Sequence, residues 1–311
     1  MPEPDWLLTD FIQEGGMTIV HGVPGAGKSL LVQDWSMVIA NGWEWCGRET
    51  KKGRVLYLMG EGQGGLRGRI LAWLKNRHTD GVPPVHWLMD QMSLWHTPGN
   101  DYTPEQHGLL QYIEDNGVSL FVVDTLAASF GGGNENMQQD MNQFVDFLHE
   151  VQDLGTATVV VHHEAKRDSG PRGSTVLKGT ADTVIRLEPK FDANDRLILT
   201  TVRCKKQKDG MPFKRFDLAP VSHEVDTFRG EAVALKYDPG TTAEATEREQ
   251  EMLDYVLRHQ GTSWNDLVAA IKGSKSTLQP LRDRLIDQGF LEWGDDGKGL
   301  YGVQPEEGER L

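Results

Sequence analysis

Short hydrophobic runs alternate with amphipathic segments along the first 180 residues. Four runs are apolar and rich in β-branched residues, which is typical of strands buried on both faces of a sheet. They are MTIVH at 17–21, RVLYLM at 54–59, SLFVVD at 119–124 and ATVVVH at 157–162. Helical patterns lie between them, near 28–41, 64–77, 102–117 and 138–153. The alternation predicts an α/β fold with a mostly parallel sheet and helices on both faces.

The pattern changes after about residue 180. Four short strand-like runs follow one another, joined by turns: 182–188, 196–204, 212–218 and 231–237. They suggest antiparallel strands that extend the sheet, so a first domain over residues 1–237 is predicted.

A polar segment rich in Thr, Pro and Gly, 238–246, is predicted to be a linker to a second domain at 247–311. That domain contains three helical patterns, and Ser276 and Gln279 have the spacing of a capping box for the third. A turn at Asp296 and Gly297 then indicates a hairpin. Three helices and a hairpin resemble a small winged helix-turn-helix domain.

Composition limits the class of protein. The 311 residues are 38% hydrophobic and 25% charged, as expected for a globular chain. The net charge of −14 means that nucleic acid would bind through local basic patches. Two cysteines, Cys46 and Cys204, form no disulfide framework and suggest a reducing intracellular setting. Neither a signal peptide nor a membrane span is expected, because no suitable apolar run occurs.

A complete phosphate-binding motif, GxxxxGK[ST], follows the first buried strand and opens the first helix, which is the context that the motif requires. Its backbone N–H groups would wrap the phosphates of ATP, Lys28 would contact the β- and γ-phosphates, and Ser29 would bind Mg²⁺. The predicted nucleotide contacts are Gly22, Val23, Pro24, Gly25, Ala26, Gly27, Lys28, Ser29 and Leu30.

Two acidic residues follow buried strands. Asp124 ends SLFVVD and would help Ser29 to hold Mg²⁺, although an Asp at a strand end also serves as a cap. Glu61 comes just after RVLYLM, where a carboxylate at the carboxyl edge of the sheet would orient the attacking water. The alternative for Glu61 is an exposed loop residue.

His162 and His163 end the fourth strand, and a metal site, a phosphate sensor and a structural pair are all conceivable. A neutral imidazole can donate one hydrogen bond to a phosphate and accept another. Adjacent side chains on a strand point to opposite faces, and no nearby cysteine or third histidine completes a tetrahedral site. The residues therefore favour phosphate sensing over metal binding.

Four stretches together resemble the RecA-like ATPases of plasmid and phage replication, nearest to the RepA-type hexameric helicases and more distantly to DnaB and RecA. They are 14–32, 53–62, 120–126 and 159–182, within a resemblance that spans about residues 6–237. The resemblance implies that Glu61 is the catalytic glutamate, and that His162 and His163 sense the γ-phosphate.

The resemblance also implies a channel loop after the histidines that contacts single-stranded DNA. Its basic residues are Lys166, Arg167, Arg172 and Lys178, and a second, non-basic channel loop would be 130–140. By the same resemblance, Lys206 and Lys208 match a Lys-x-Arg finger that reaches the γ-phosphate of a neighbouring subunit, with Arg203 as a rival. The plain alternatives are a surface loop and a solvated edge hairpin.

The expected function is therefore an ATP-hydrolysing, homo-oligomeric ring, a hexamer in this family, that moves on single-stranded DNA in the cytoplasm of a bacterium or phage-infected host. Residues 245–311 carry a net charge of −5, so the C-terminal domain could bind DNA or a replication protein. Two other functions remain open: a non-unwinding DNA-dependent ATPase, such as a recombinase or helicase loader, and a nucleotide-switched regulatory scaffold.

Overall fold

The chain divides into two compact units, Met1–Pro239 and Gly240–Leu311. The computed structural model describes residues 4–97, 99–135, 137–163, 175–226, 230–238, 243–271, 273–287, 290–294 and 297–302. Among the described helices, none is long and apolar enough to span a bilayer.

The first unit contains eleven described strands. They are β1 (Trp6–Leu8), β2 (Ile12–Gln13), β3 (Met17–Gly22), β4 (Arg54–Met59), β5 (Val85–Leu88), β6 (Val118–Asp124), β7 (Ala157–His163), β8 (Thr183–Phe191), β9 (Leu197–Gln207), β10 (Phe216–Glu224) and β11 (Glu231–Asp238). Its helices are α1 (Lys28–Asn41), α2 (Leu66–Asn76), α3 (Pro104–Asn116), α4 (Leu126–Ser129), α5 (Gln138–Asp153) and α6 (Thr175–Thr180).

Nine of these strands form one sheet in the order β11-β10-β9-β8-β3-β7-β6-β4-β5. The six strands from β8 to β5 are parallel, and β9, β10 and β11 extend the sheet antiparallel. The predicted α/β class and mostly parallel sheet are therefore confirmed. Because all six parallel strands run the same way, their carboxyl ends meet at one edge.

Side chains on successive strand residues point to opposite faces, and each face has its own core. One core joins alternate residues of the parallel strands to α1 and α2, and the other joins the intervening residues to α3 and α5. On β7, for example, Val159 and Val161 belong to the first core and Val160 to the second. This two-sided burial explains why these strands are apolar throughout.

A buried polar network ties α1 to the chain around it. The Asp34 carboxylate accepts hydrogen bonds from the indole N–H of Trp45 at 2.7 Å and of Trp73 at 2.6 Å. The Arg77 guanidinium donates a third, at 3.0 Å. One carboxylate thus satisfies two buried indoles and a cation, and it fixes α1 relative to α2.

Two sequence expectations about this sheet were wrong. The run at 182–188 was expected to be antiparallel, but β8 lies parallel to β3. The connection from β7 passes through α6, and such a crossover returns the chain in its original direction. The strand β5 was not anticipated, because its four residues, VHWL, form a short, half-exposed edge without a long apolar run.

The second unit consists of three helices and a small antiparallel sheet. Its elements are α7 (Ala243–Arg258), β12 (Thr262–Ser263), α8 (Trp264–Ala270), α9 (Lys275–Asp287), β13 (Leu291–Trp293) and β14 (Gly299–Gly302), with strand order β12-β14-β13. Helix α7 begins within the segment 238–246 that was expected to be a linker. Among the described residues of the second unit, nine buried side chains, including Met252 and Leu267, form the core of the unit.

The expected cap of α9 was also wrong. The Ser274 hydroxyl accepts a hydrogen bond from the N–H of Thr277 at 3.2 Å, so the cap is Ser274, two residues before the predicted Ser276, and the helix begins at Lys275. The predicted hairpin is present as β13 and β14, and the residues of its turn, 295–296, lie outside the described part of the chain.

Candidate nucleotide-binding site

The phosphate-binding loop emerges from β3 between two neighbouring strands. Gly22 lies in register with His163 on β7 and with Leu187 on β8. A Cβ atom at Gly22 would stand 2.6 Å from the carbonyl oxygen of Leu187. The motif therefore begins with glycine because β8 passes too close for a side chain.

The loop then turns through left-handed conformations that favour glycine. Gly25 has φ 80°, and Gly27 has φ 84° and forms the N-cap of α1. Pro24 and Gly25 are exposed to solvent, whereas Ala26 is buried. The loop thus presents its backbone and the N-terminus of a 14-residue helix at the surface, an arrangement that binds phosphate.

The side chain of Lys28 lies folded against this loop. The residue is 4% exposed, and its ammonium group donates hydrogen bonds to the carbonyl oxygens of Gly22 at 3.0 Å and Val23 at 2.9 Å. The backbone therefore positions the cation inside the loop, where the predicted phosphate contacts require it.

Asp124, at the end of β6, receives hydrogen bonds on both carboxylate oxygens. The Ser29 hydroxyl donates to Oδ1 at 3.1 Å, and the Tyr57 hydroxyl donates to Oδ2 at 2.6 Å. Burial raises the pKa of Asp124, while the bonds from Tyr57 and Ser29 and the charge of Arg69 act in the opposite direction. Burial and the nearby Asp124 also raise the pKa of Tyr57 well above its usual value, so Tyr57 stays protonated and donates.

Glu61 is held beside the end of the same strand. The Thr125 hydroxyl donates a hydrogen bond to Glu61 Oε1 at 3.0 Å, and the N–H of Gly60 donates to the carbonyl of Asp124 at 2.8 Å. A Cβ at Gly60 would approach Ala128 Cβ to 2.5 Å, which explains the glycine before Glu61. The glutamate itself is exposed to solvent.

These residues fit Mg²⁺ and a nucleoside triphosphate. A hydroxyl and a carboxylate are oxygen ligands of the kind that Mg²⁺ prefers, and those of Ser29 and Asp124 are already in hydrogen-bonding contact. When bound, the metal ion neutralises charge on the β- and γ-phosphates. Lys28 would contact the same phosphates, and Glu61 would orient the attacking water.

The two histidines lie at the carboxyl edge beside the phosphate-binding loop. His162 pairs with His21 and His163 with Gly22 across β7 and β3. His162 is 1% exposed and His163 is half-buried, as expected for adjacent side chains on opposite faces. Within the described residues, no group of three or more His, Cys, Asp or Glu side chains is placed to hold a metal ion. The backbone register thus brings His163 next to the start of the loop.

Three of the four predicted DNA contacts fall outside the part of the chain that the structure describes. Lys166, Arg167 and Arg172 lie outside the described residues, whereas Lys178 is exposed on α6. The segment 164–174 connects β7 to α6, and β8 follows. Since β7 and β8 flank β3 on either side, this basic segment connects the two neighbours of the strand that carries the phosphate-binding loop.

Two of the three finger candidates lie away from the phosphate-binding loop of their own chain. Strand β9 runs antiparallel to β8, so Lys206 and Lys208 stand at the amino edge of the parallel sheet. The Lys208 ammonium pairs with Asp182 at 3.2 Å. Arg203 makes a bidentate pair with Glu188, donating from Nε to Oε1 and from Nη2 to Oε2, each at 3.1 Å. Lys206 and Lys208 thus stand at the edge of the sheet opposite the phosphate-binding loop, whereas the partner of Arg203, Glu188, follows Leu187, the residue in register with Gly22.

Lys206 instead binds the C-terminal end of α6. Its ammonium group donates to the carbonyl oxygens of Lys178 at 3.0 Å, Gly179 at 2.9 Å and Ala181 at 2.6 Å. A cation is favoured there, because the last carbonyls of a helix carry partial negative charge.

Sequence reasoning missed three residues of the site: Tyr57, Arg69 and Thr125. The first offers a sequence signal, since a tyrosine within the otherwise aliphatic run RVLYLM needs a partner for its buried hydroxyl. Arg69 donates a hydrogen bond to the Gly62 carbonyl at 2.7 Å, and its charge lowers the pKa of Asp124. The roles of Arg69 and Thr125 depend on strand pairing and leave no local pattern.

The fold and the geometry of the site together define the class of protein. A phosphate-binding loop after the central strand of a large mixed sheet, with a buried Asp and an exposed Glu at the same edge, is the arrangement of a RecA-like P-loop ATPase. Residues 1–169 match the model of a family described as an AAA domain, which is more than half of the chain, so the chain belongs to this family of P-loop ATPases. No curated protein matches the sequence closely.

Proposed function

We propose that the chain is an ATP-hydrolysing, ring-forming motor that acts on single-stranded DNA, of the kind that serves as a replicative helicase for plasmids and phages. ATP and Mg²⁺ would bind at the phosphate-binding loop and Asp124. Single-stranded DNA would bind the basic segment that follows β7, in the cytoplasm of the host.

One observation carries this proposal. His163 pairs with Gly22 at the start of the phosphate-binding loop, and the segment that contains Lys166, Arg167 and Arg172 follows directly after His163. A change in phosphate contacts at His162 or His163 would therefore act directly on the first residue of that segment. This connection supports coupling between nucleotide hydrolysis and a bound anionic polymer, which a nucleotide-binding scaffold does not need.

The finger candidates support assembly into a ring. Nucleotide-site residues stand at the carboxyl edge of the sheet, whereas Lys206 and Lys208 stand at the amino edge. A head-to-tail arrangement would bring the amino edge of one subunit to the carboxyl edge of the next. Such heterologous contacts close into rings when the rotation between subunits allows it.

The second unit has the elements of a winged helix, and its chemistry favours contact with protein. A DNA-binding surface on this unit would need a stripe of available basic side chains, and Arg282 is one candidate for it. Its guanidinium instead lies over the ring of Trp264 at 4.4 Å, and it forms an ion pair with Asp283. We therefore propose that this unit contacts a replication protein or a neighbouring subunit, with DNA as the second candidate.

Three measurements test the proposal: the ATPase rate with and without single-stranded DNA, the native mass, and the unwinding of a forked duplex. The motor requires a DNA-stimulated rate and an oligomer, and a helicase also unwinds the fork. Stimulation without unwinding would leave a recombinase or helicase loader. A DNA-independent rate would reject the motor in favour of a nucleotide-switched scaffold.

A further inference from the structure

The order of the strands gives the phosphate-binding loop two unlike flanks. On one side of β3 lie β7 and β6, which carry the histidines and Asp124. On the other side lie β8 and β9, whose connecting turn is at the same carboxyl edge. Mg²⁺ and the terminal phosphates would bind beside Ser29 and Asp124, on the flank formed by β7 and β6. The nucleoside must therefore extend from the loop in a different direction. The flank that faces β8 and β9 offers one.

An exposed aromatic ring stands on that second flank. Phe191 ends β8 and is 37% exposed, although it is a large hydrophobic side chain. A Cβ built on Gly25 would lie 3.5 Å from two atoms of the Phe191 ring, so the ring approaches the exposed part of the phosphate-binding loop. The protein thus holds an aromatic surface in water within a few ångströms of its predicted phosphate site.

Hydrogen bonds fix the turn that carries this ring. The Asp192 carboxylate accepts from the backbone N–H groups of Asn194 at 2.8 Å and Arg196 at 2.9 Å. The N–H of Asp192 also donates to the carbonyl of Arg196 at 2.9 Å. Leu197 follows Arg196, and a Cβ atom built on Gly27 would lie 3.5 Å from the Leu197 side chain. The hairpin therefore packs along the loop at two points, Phe191 near Gly25 and Leu197 near Gly27.

We propose that the ring of Phe191 is the stacking surface for the nucleobase of the bound nucleoside triphosphate. The proposal rests on the proposed nucleotide-binding function, and it adds a prediction of which bases the site prefers. Stacking on an aromatic ring accepts every base, because each base presents a π-face. A larger ring system gains more contact, so purine nucleotides bind more tightly than pyrimidine nucleotides.

Calorimetric titration of ATP, CTP and inorganic tripolyphosphate, each with Mg²⁺, tests the proposal on the full chain. Phe191→Ala should weaken ATP binding by about tenfold, the effect of losing one base–aromatic stack. It should narrow the preference for ATP over CTP and leave tripolyphosphate binding unchanged, since that ligand has no base. Phe191→Tyr should restore ATP binding. Ile198→Ala, which removes another exposed apolar side chain from the same hairpin, is the matched control and should bind like the wild type.

The other outcomes overturn the proposal in distinguishable ways. Equal losses of ATP and tripolyphosphate binding in Phe191→Ala would mean that the ring merely supports the loop. Unchanged ATP binding in this variant would mean that the base lies elsewhere. If the wild type binds neither ATP nor tripolyphosphate, the nucleotide function fails, and the stacking role fails with it.

Discussion

The hydroxyl of Ser29 donates a 3.1 Å hydrogen bond to Oδ1 of Asp124, although the two residues are 95 positions apart in the chain. Ser29 follows β3 and Asp124 ends β6, with β7 between these strands. The parallel sheet therefore brings a hydroxyl and a carboxylate into contact at its carboxyl edge. Burial of this carboxylate opposes its ionisation, and the effect on stability can be measured.

Replacing Asp124 with Asn should stabilise the fold and impair the activity. The pKa of Asp124 is raised mainly by burial, so at this position the folded chain binds a proton more readily than the unfolded chain. The ionised carboxylate therefore reduces stability, and the reduction grows as pH rises through the folded pKa. Asp124→Asn should raise the free energy of unfolding at pH 8 by about 1 kcal/mol, measured by urea denaturation. Mg²⁺-dependent hydrolysis should fall about 10–100-fold.

The stability gain should shrink as the pH is lowered through the pKa of Asp124, because the wild-type carboxyl is then neutral as well. The Mg²⁺ concentration that gives half-maximal activity should rise over the same interval, since protons compete with the metal. Asp90→Asn, at an exposed position, is the control. A variant less stable than the wild type at pH 8 would contradict the argument.

Glu61→Gln should bind ATP and hydrolyse it about 10²–10⁴-fold more slowly. The amide keeps the shape of the side chain and can still accept the hydrogen bond from Thr125, but it cannot serve as a base. Single-turnover kinetics with labelled ATP would separate binding from hydrolysis. Glu114→Gln, at an exposed helical position, should hydrolyse normally. Wild-type turnover in Glu61→Gln would assign the catalytic role to another residue.

Subunit mixing tests whether the site is completed by a neighbour. Lys28→Ala should be inactive because the phosphate cation is lost, and a variant in which Arg203, Lys206 or Lys208 is Ala should be inactive if that residue is the finger. Mixed at equal amounts, the two inactive proteins should recover measurable ATPase activity, because some interfaces combine an intact loop with an intact finger. A monomer with full ATPase activity would exclude the shared site.

Arg172→Ala and Lys178→Ala should weaken binding of single-stranded DNA with little dependence on base sequence. Each lost phosphate contact should flatten the log–log salt dependence by about 0.7 units. Fluorescence anisotropy at several salt concentrations gives both quantities, and ATP binding should persist. An unchanged salt slope in the double variant would move DNA binding away from this segment.

His163→Ala should behave differently from the two charge variants. DNA should still bind, but it should no longer accelerate ATP hydrolysis, because the variant lacks the side chain between the phosphate-binding loop and the basic segment. The ratio of ATPase rates with and without DNA is the measurement. A normal ratio in His163→Ala would show that the coupling takes another path.

Asp34→Ala should destabilise the first unit by about 3–5 kcal/mol, the usual effect of removing one partner from a buried ion pair. Two indole N–H groups and the Arg77 cation would lose their acceptor. Trp45→Phe is the comparison that removes one donor and keeps an aromatic ring. The lost hydrogen bond costs about 1 kcal/mol, and the smaller ring adds the cost of a cavity at this fully buried position. Urea denaturation followed by fluorescence measures both. Equal stability of Asp34→Ala and the wild type would mean that water replaces the carboxylate.

Much of this site was predictable because its signals are local. The phosphate-binding motif requires consecutive residues between a strand and a helix, and Asp124 and Glu61 each follow an apolar run. Tyr57 was missed because its partner, Asp124, is distant in the chain, and their hydrogen bond exists only once β4 and β6 pair. Arg69 was missed because its charge acts on the same distant Asp124 only in the folded chain.

The fold shows the same division between local and distant causes. The helical pattern at 102–117 is confirmed as α3, and its start is a local feature: Thr103 caps the helix and Pro104 is its first residue, so the cap is decided within four residues. The direction of β8 depends on how the chain returns from β7 through α6. Neither apolar content nor turn residues carry that information, so the strand was expected to run the opposite way.

The ammonium group of Lys206 has two possible sets of partners, one in its own chain and one in a neighbouring subunit. It binds three carbonyls at the end of α6, and it is also a candidate to reach a neighbouring subunit. One group cannot do both at once, so a transfer to the neighbour would leave those carbonyls to water. Subunit association and local unfolding of the end of α6 would then be linked equilibria. A ligand that orders α6 would oppose the transfer, and a tightly closed ring would loosen the helix that follows the basic segment.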